Sequence, residues 1–253
     1  MRNAWLGVRS AVLWLISGVH FLFAVILLLL LSIFFGQRRI DSLVRVFARN
    51  MVRFAGPRLS VRRAQGFDPK RTSFFVVNHT NLFDPFVLYS AIPQFIRGLE
   101  LESHFKIPIY GMLMKQFGNV PVPDVRRPSD LMRMWRLTKE ALQRGTSLIV
   151  FPEGKRTLDG RMGPFEDGGF RMAQQLGYPI VPVSIVGSFE FNRKDRWWVH
   201  PSNILVYIHD TVETTGLKKE DVPLLQERIH AIIAAPVNAY YAEREAEAPS
   251  QSK

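Results

Sequence analysis

The sequence predicts an α/β domain with a mixed, mainly parallel sheet flanked by helices, carried behind an N-terminal helical membrane segment. Three observations predict it. Short apolar runs such as Phe74–Val77 and Ile180–Val186 alternate with amphipathic helical stretches along most of the chain, the pattern of strands joined by helices. Two polar stretches follow directly on such runs, at strand ends where α/β folds place their chemistry. Residues 11–35, AVLWLISGVHFLFAVILLLLLSIFF, carry no acidic or basic side chain other than His20.

That apolar run is long enough to cross a bilayer core of about 30 Å. It is too long for the apolar part of a signal peptide, and Gly36-Gln37-Arg38-Arg39 after it offers no cleavage site. Arg2 and Arg9 precede the run; Arg38, Arg39, Arg45, Arg49 and Arg53 follow it. For a spanning helix the heavier basic flank stays cytoplasmic, and with it the rest of the chain. A re-entrant hairpin dipping in from one face fits the same residues. Next, Ile40, Leu43, Val44, Phe47, Met51 and Phe54 recur at helical spacing, with arginines mostly elsewhere on the wheel. Over 38–55 this reads as a basic amphipathic helix lying on anionic headgroups; a core-packed helix with a solvated arginine face has the same pattern. Gly56-Pro57 ends it. Residues 1–56 are thus expected to form a membrane anchor, 57–242 the catalytic domain and 243–253 a disordered tail.

Within the domain, Leu59–Val61 and Phe74–Val77 read as strands. A helix follows over 87–92, then a short strand at 95–97 and an apolar helical piece over 112–117. Gly118 and Pro121, Pro123 and Pro128 mark a loop. Ser129 is placed to cap a helix over 129–144 that Gly145 stops. Ser147–Phe151, Ile180–Val186 and Asn203–His209 read as strands. Residues 170–176 form a helix ending at Gly177, and Asp221–Tyr241 a closing helix interrupted at Pro236.

Composition narrows the chemistry. The 253 residues contain no cysteine, so there is no thiol nucleophile and no thiolate metal site. The six histidines lack ligand spacing such as His-Glu-x-x-His, and no metal is expected. A formal net charge of +11 implies an anionic partner. The apolar run decides among such partners: many of the cations cluster beside it, which favours lipid over nucleic acid.

The first polar stretch is Asn78-His79-Thr80-Asn81-Leu82-Phe83-Asp84-Pro85. Imidazole is the one side chain whose unperturbed charge change falls near neutrality, so a histidine at position 79 can take and return a proton. A carboxylate five residues on, across a tight turn, can hold one tautomer of the ring and stabilise its cation. Asp84-Pro85 also fits a helix cap followed by proline. The second stretch is Phe151-Pro152-Glu153-Gly154-Lys155-Arg156-Thr157. Gly154 lets backbone approach a ligand closely, and Lys155 and Arg156 suit a phosphate. Glu153 can accept from a hydroxyl or hold Arg156 in place. Ile149 stands where a Walker A loop needs glycine, which excludes that motif.

Four pieces in order, the first stretch, Lys106 through Arg126, the second stretch and Ile180-Val181-Pro182-Val183, make residues 57–215 resemble the lysophospholipid acyltransferase family, in particular bacterial 1-acyl-sn-glycerol-3-phosphate acyltransferases. The resemblance implies transfer of a fatty acyl group from acyl-CoA or acyl carrier protein to a free glycerol hydroxyl of lysophosphatidic acid, with no further cofactor; another lysophospholipid or a lyso-aminolipid is the alternative acceptor. It implies His79 as base and Asp84 as its orienting partner. Glu153, Gly154, Lys155, Arg156 and Thr157 would meet the headgroup, with Arg126 or Arg127 assisting after a proline-rich insertion that follows Gly118; backbone N–H groups or Lys106 would serve the developing oxyanion, and Pro182 would shape the wall of the acyl or thioester site. Lys155 and Thr157 stand where the family most often has Thr and Ser, and Glu166-Asp167 where relatives often carry lysine. The implied setting is a bacterial inner membrane, with the domain on the cytoplasmic side.

Overall fold

A computed structural model describes residues 2–125 and 127–247, the side chains of residues 2 and 3 excepted. Seven strands form one sheet in the order β1-β7-β6-β2-β5-β3-β4. They are β1 (Arg58–Arg63), β2 (Phe74–Val77), β3 (Ile96–Leu101), β4 (Val120–Val122), β5 (Ser147–Val150), β6 (Ile180–Val186) and β7 (Asn203–Ile208). β2 to β6 run parallel, β7 is antiparallel to β6, and β1 is parallel to β7. The C-terminal ends of five strands therefore share one sheet edge. β2, β5 and β6 are buried at every position, as strands covered on both faces must be.

One face is covered by α1 (Arg2–Phe34), α2 (Gln37–Ala55) and α3 (Asp84–Ala91), the other by α5 (Pro128–Gln143), α6 (Gly168–Leu176) and α8 (Val222–Glu247). α4 (Tyr110–Gln116) and the one-turn α7 (Ser188–Phe191) follow β3 and β6. Met51, Val52 and Ala55 of α2 lie in the same core as Phe75, Val77, Leu88 and Ile204.

α1 is long and apolar enough to cross a membrane. It pairs with α2 as a hairpin, and the domain grips it at both ends. Near its start Arg9 Nη1 donates to Val199 O at 2.6 Å and Val199 N–H to Ser10 Oγ at 3.0 Å. Near its end Gln116 Nε2 donates to Ser32 O at 3.4 Å. Ser10 and Ser32 are about 33 Å apart along a helix. One flank of α1 still faces outward, with Leu15, Val19, Phe23, Leu30, Ile33 and Phe34 exposed.

α2 differs from a helix resting its apolar side on headgroups. Ile40, Ala48, Met51, Val52 and Ala55 are buried in protein. Arg45 donates to Asp41 Oδ2 at 2.7 Å, to Tyr89 O at 3.3 Å, and to the carbonyls of Ile92 and Gln94. It thereby satisfies carbonyls at the C-terminus of α3 that have no helical donor.

Elsewhere the structure departs from expectation at marginal elements. The proline-bearing loop after Gly118 contains β4, an edge strand, where Pro121 leaves no central ladder bond unmade. Pro128 rather than a Ser129 cap opens α5, its missing N–H costing nothing at a first helical position. α8 runs through Pro236 to Glu247 because Ile229, Ile233, Ala234 and Val237 stay buried on both sides of it. Residues 243–247, expected in the tail, are helical; 248–253 lie outside the described residues.

Candidate active site

The site is built where β2 and β5 end. After Val77, Asn78 is held between strands: its amide donates to Ile185 O at 2.9 Å and accepts from Ile185 N–H at 2.7 Å. His79 is thus delivered at a fixed point of the sheet edge. Asn81 tightens the turn that follows, accepting from Phe83 N–H at 2.9 Å and donating to the carbonyls of Ser188 and Asn192 at 2.7 and 2.6 Å.

Asp84 is fully buried, and it does not cap its own helix, whose N-cap is Phe83. Instead it closes the preceding turn. Oδ2 accepts from Thr80 N–H at 2.7 Å and Asn81 N–H at 2.8 Å, and lies 2.9 Å from His79 Nδ1. Ser188 Oγ donates to Oδ1 at 3.0 Å. A carboxylate surrounded by donors is an acceptor toward the ring as well, so Nδ1 carries the proton. Nε2 is left with its lone pair. The His79 side chain keeps 21% exposure, and its ring stacks on Phe151 at 4.1 Å with 22° between planes, which fixes its plane.

β5 delivers the second stretch to the same place. Glu153 Oε1 accepts from His79 N–H at 2.8 Å, and Oε2 from Gly163 N–H at 2.9 Å. Thr157 N–H donates to His79 O at 3.0 Å. The two motifs, 74 residues apart, are therefore laced together through the backbone of His79. Burial pushes the Glu153 carboxyl above its ordinary value, against the lowering effect of those two N–H donors and of His79. Glu153 does not hold Arg156, since its oxygens brace backbone. Gly154 turns at φ +66 with open space around it, leaving the backbone approachable. Lys155 is exposed and Arg156 half-exposed; among the described residues neither has a carboxylate partner. Thr157 Oγ1 is spent on the following turn, donating to Asp159 Oδ1 at 2.8 Å and accepting from Gly160 N–H at 3.1 Å.

The remaining described candidates come from other strands of the sheet. Lys106 is exposed in the 3₁₀ turn Glu102–Lys106 that follows β3, on the same sheet edge. Pro182 lies inside β6 in register with Val76. Arg126 lies outside the described residues. Among the described residues, no three His, Asp or Glu side chains are grouped to hold a metal. Sequence reasoning missed Ser188, Gly163 and the anchoring roles of Asn78 and Asn81. The asparagines carried a signal, as polar residues beside a buried strand; Ser188, 104 residues from Asp84, carried none.

A family model described as Acyltransferase matches residues 58–186, a span that holds every described candidate. The chain belongs to the acyltransferase family. Curated relatives of this acyltransferase include a chloroplastic 1-acyl-sn-glycerol-3-phosphate acyltransferase of Brassica napus, 34% identical over 45% of this chain and 33% of that one. A human 1-acyl-sn-glycerol-3-phosphate acyltransferase beta is 28% identical over 77% and 71%. A coconut (Cocos nucifera) enzyme of the same name is 26% identical over 63% and 52%. The matched stretches thus span a third to about half of the first two relatives' own length. The crystal structure of the 1-acyl-sn-glycerophosphate acyltransferase PlsC from Thermotoga maritima superposes with a TM-score of 0.78 over 94% of this chain and 98% of that one, at 22% identity. The acyltransferase shares that fold along nearly its whole length.

Proposed function

We propose that this acyltransferase moves a fatty acyl group from acyl-CoA or acyl carrier protein to the free hydroxyl of 1-acylglycerol-3-phosphate, giving phosphatidic acid for phospholipid synthesis. The observation that carries the reading is the His79 Nδ1–Asp84 Oδ2 pair at 2.9 Å, beside a loop whose cations Lys155 and Arg156 have, among the described residues, no carboxylate partner. Nε2 takes the proton as the acceptor hydroxyl attacks the thioester carbonyl. The C–O bond forms and the C–S bond breaks. The imidazolium, steadied by buried Asp84, returns the proton to the leaving thiolate. No enzyme nucleophile and no cofactor are needed.

Lys155 and Arg156 meet the acceptor phosphate, with Gly154 letting backbone come close; Lys106 and Arg126 add positive charge at the rim. Glu153 acts as the brace of the His79 turn. The enzyme works at a membrane surface, in a bacterial cell the cytoplasmic face of the inner membrane. The hairpin enters from one face only, because both ends of its apolar run are bonded to the same water-facing domain.

The test supplies the detergent-purified protein with 1-acylglycerol-3-phosphate and a long-chain acyl-CoA or acyl carrier protein, following thiol release and phosphatidic acid. The native chain turns over and His79→Ala loses about 10²–10⁴-fold. Equal rates would remove His79 from the mechanism. Turnover only with other lyso-lipids would change the acceptor and leave the chemistry standing.

A further inference from the structure

On the sheet edge that carries His79, one short segment holds three large apolar side chains in solvent. Ile107 and Ile109 are each 48% exposed and Met112 59%. The backbone presenting them is strained. Ile109 has φ 65 and ψ −57, and Tyr110 N–H donates to Pro108 O at 2.7 Å. This is the γ-turn of the rare, strained hand. Among the described residues Ile109 is the only non-glycine at positive φ, and a β-branched residue there is an outlier. Such strain persists only where the surroundings over-determine it. Here Gly111 lies so close against the Phe105 carbonyl that a Cβ would collide. Its N–H donates to Ile107 O at 2.7 Å. On the far side Leu113 and Phe117 pack with Leu28 and Ile40 of the hairpin. The segment is rigidly built, and it is built to face outward.

What covers it follows from its neighbours. α4 joins it to the end of α1 through the Gln116–Ser32 bond, where Ile33 and Phe34 are 70% and 78% exposed. Exposed apolar side chains thus stand on both partners of the α4–α1 contact. Lys106 and Lys115 flank the segment, both exposed and, among the described residues, without a carboxylate partner. Apolar side chains with a cationic margin suit the interface of an anionic bilayer. The segment follows β3, so it stands on the sheet edge that carries His79. We infer that residues 107–112 form a second membrane contact, separate from the hairpin, that beds in the interfacial layer of an anionic bilayer. It holds the mouth of the His79 site against the surface where an amphiphilic acceptor lies.

This rests on the membrane reading of the hairpin, and the test separates the two. The chain has no cysteine, so single cysteines can carry a polarity-sensitive fluorophore. Met112→Cys reports the segment, Ile33→Cys the hairpin, and Leu224→Cys, 70% exposed on the opposite face of the sheet, serves as control. With phosphatidylglycerol vesicles, emission shifts to the blue at 112 and 33 and stays fixed at 224. A shift at 33 without one at 112 overturns the second contact alone; no shift at either overturns the membrane reading with it. A shift at 112 that needs only higher protein concentration assigns the surface to a second copy of the chain, and also overturns the proposal. In activity, Ile107→Ser with Met112→Ser raises KM about tenfold for a long-chain acceptor in vesicles, with turnover of a water-soluble short-chain acceptor unchanged. Equal loss on both acceptors, or no loss on either, overturns it.

Discussion

Asp84 has five donors within reach: two backbone N–H groups, the His79 ring, and the hydroxyls of Ser188 and, at 3.4 Å, Thr80. A fully buried carboxylate depends on such company. Ser188 is the donor that reaches Oδ1 from another element, so it sets the tilt of the carboxylate and through it the ring. Ser188→Ala is expected to lower kcat between tenfold and a hundredfold with KM held, and to cost about 1 kcal/mol of stability; a fall in KM-limited binding instead would remove the positioning role. Glu153 yields a pH prediction. Its folded value is raised by burial above an unfolded value of about 4.3. Its contribution to stability is therefore fully present below that unfolded value and fades as pH rises through the folded one. Glutamine offers one acceptor to two backbone N–H groups, so Glu153→Gln is less stable than the native chain. The gap in Tm is expected to be widest near pH 4 and to narrow toward neutrality; a gap that widens with pH would contradict the sign. His79 and Asp84 were legible because the turn joining them is local. The contacts of Ser188, Glu153 and Gly163 depend on strand order, which residue spacing does not encode.

At the scale of elements, the strands buried on both faces were readable because they are unbroken apolar runs: β6 was expected at its observed bounds and β2 likewise. β4 was not, since three residues with a central proline look like loop until an edge partner is known. α8 outlasted its proline for a reason equally invisible in the chain, the sheet beneath it. The arginines of α2 show the same limit most sharply. Periodicity put Arg45 on a polar face; the fold turns that face to the end of α3, where the side chain is only 15% exposed. Arg45→Ala leaves carbonyls at the α3 terminus without donors and Asp41 with, among the described residues, only the Arg97 guanidinium, 3.5 Å away. The expected cost is about 2–3 kcal/mol, a fall in Tm of about 5–10 °C for a chain this size. Arg45→Lys should recover little, because a single ammonium cannot serve a carboxylate and separated carbonyls in a planar fork. Thermal unfolding in detergent checks both, and a neutral Arg45→Ala would mean that α2 is held by apolar packing alone.

For the whole molecule the question is whether the N-terminal hairpin is an appendage or part of the fold. Sequence composition draws the line at Gly56, where apolar and basic residues give way to alternating strands. Packing draws none there. Ile40, Ala48, Met51, Val52 and Ala55 are buried, several of them in the core that also holds Phe75 and Val77 beneath the His79 turn. At about 1.5–3 kcal/mol for each larger side chain removed from contact, their loss approaches the 5–15 kcal/mol that keeps a typical domain folded. Leu13, Trp14 and Phe21 of α1 pack on the same core, so both helices contribute. Cutting at the compositional boundary is therefore expected to give a chain, 57–253, that melts without a cooperative transition, while the full chain in detergent unfolds in one step. Circular dichroism melts of the two, read together with acyl transfer to a water-soluble short-chain acceptor, decide it. If 57–253 melts cooperatively and keeps its turnover, the hairpin is a detachable anchor and the domain stands alone. If it does not, membrane attachment and catalysis share one core, and no soluble form of the enzyme is reached by trimming the hairpin away.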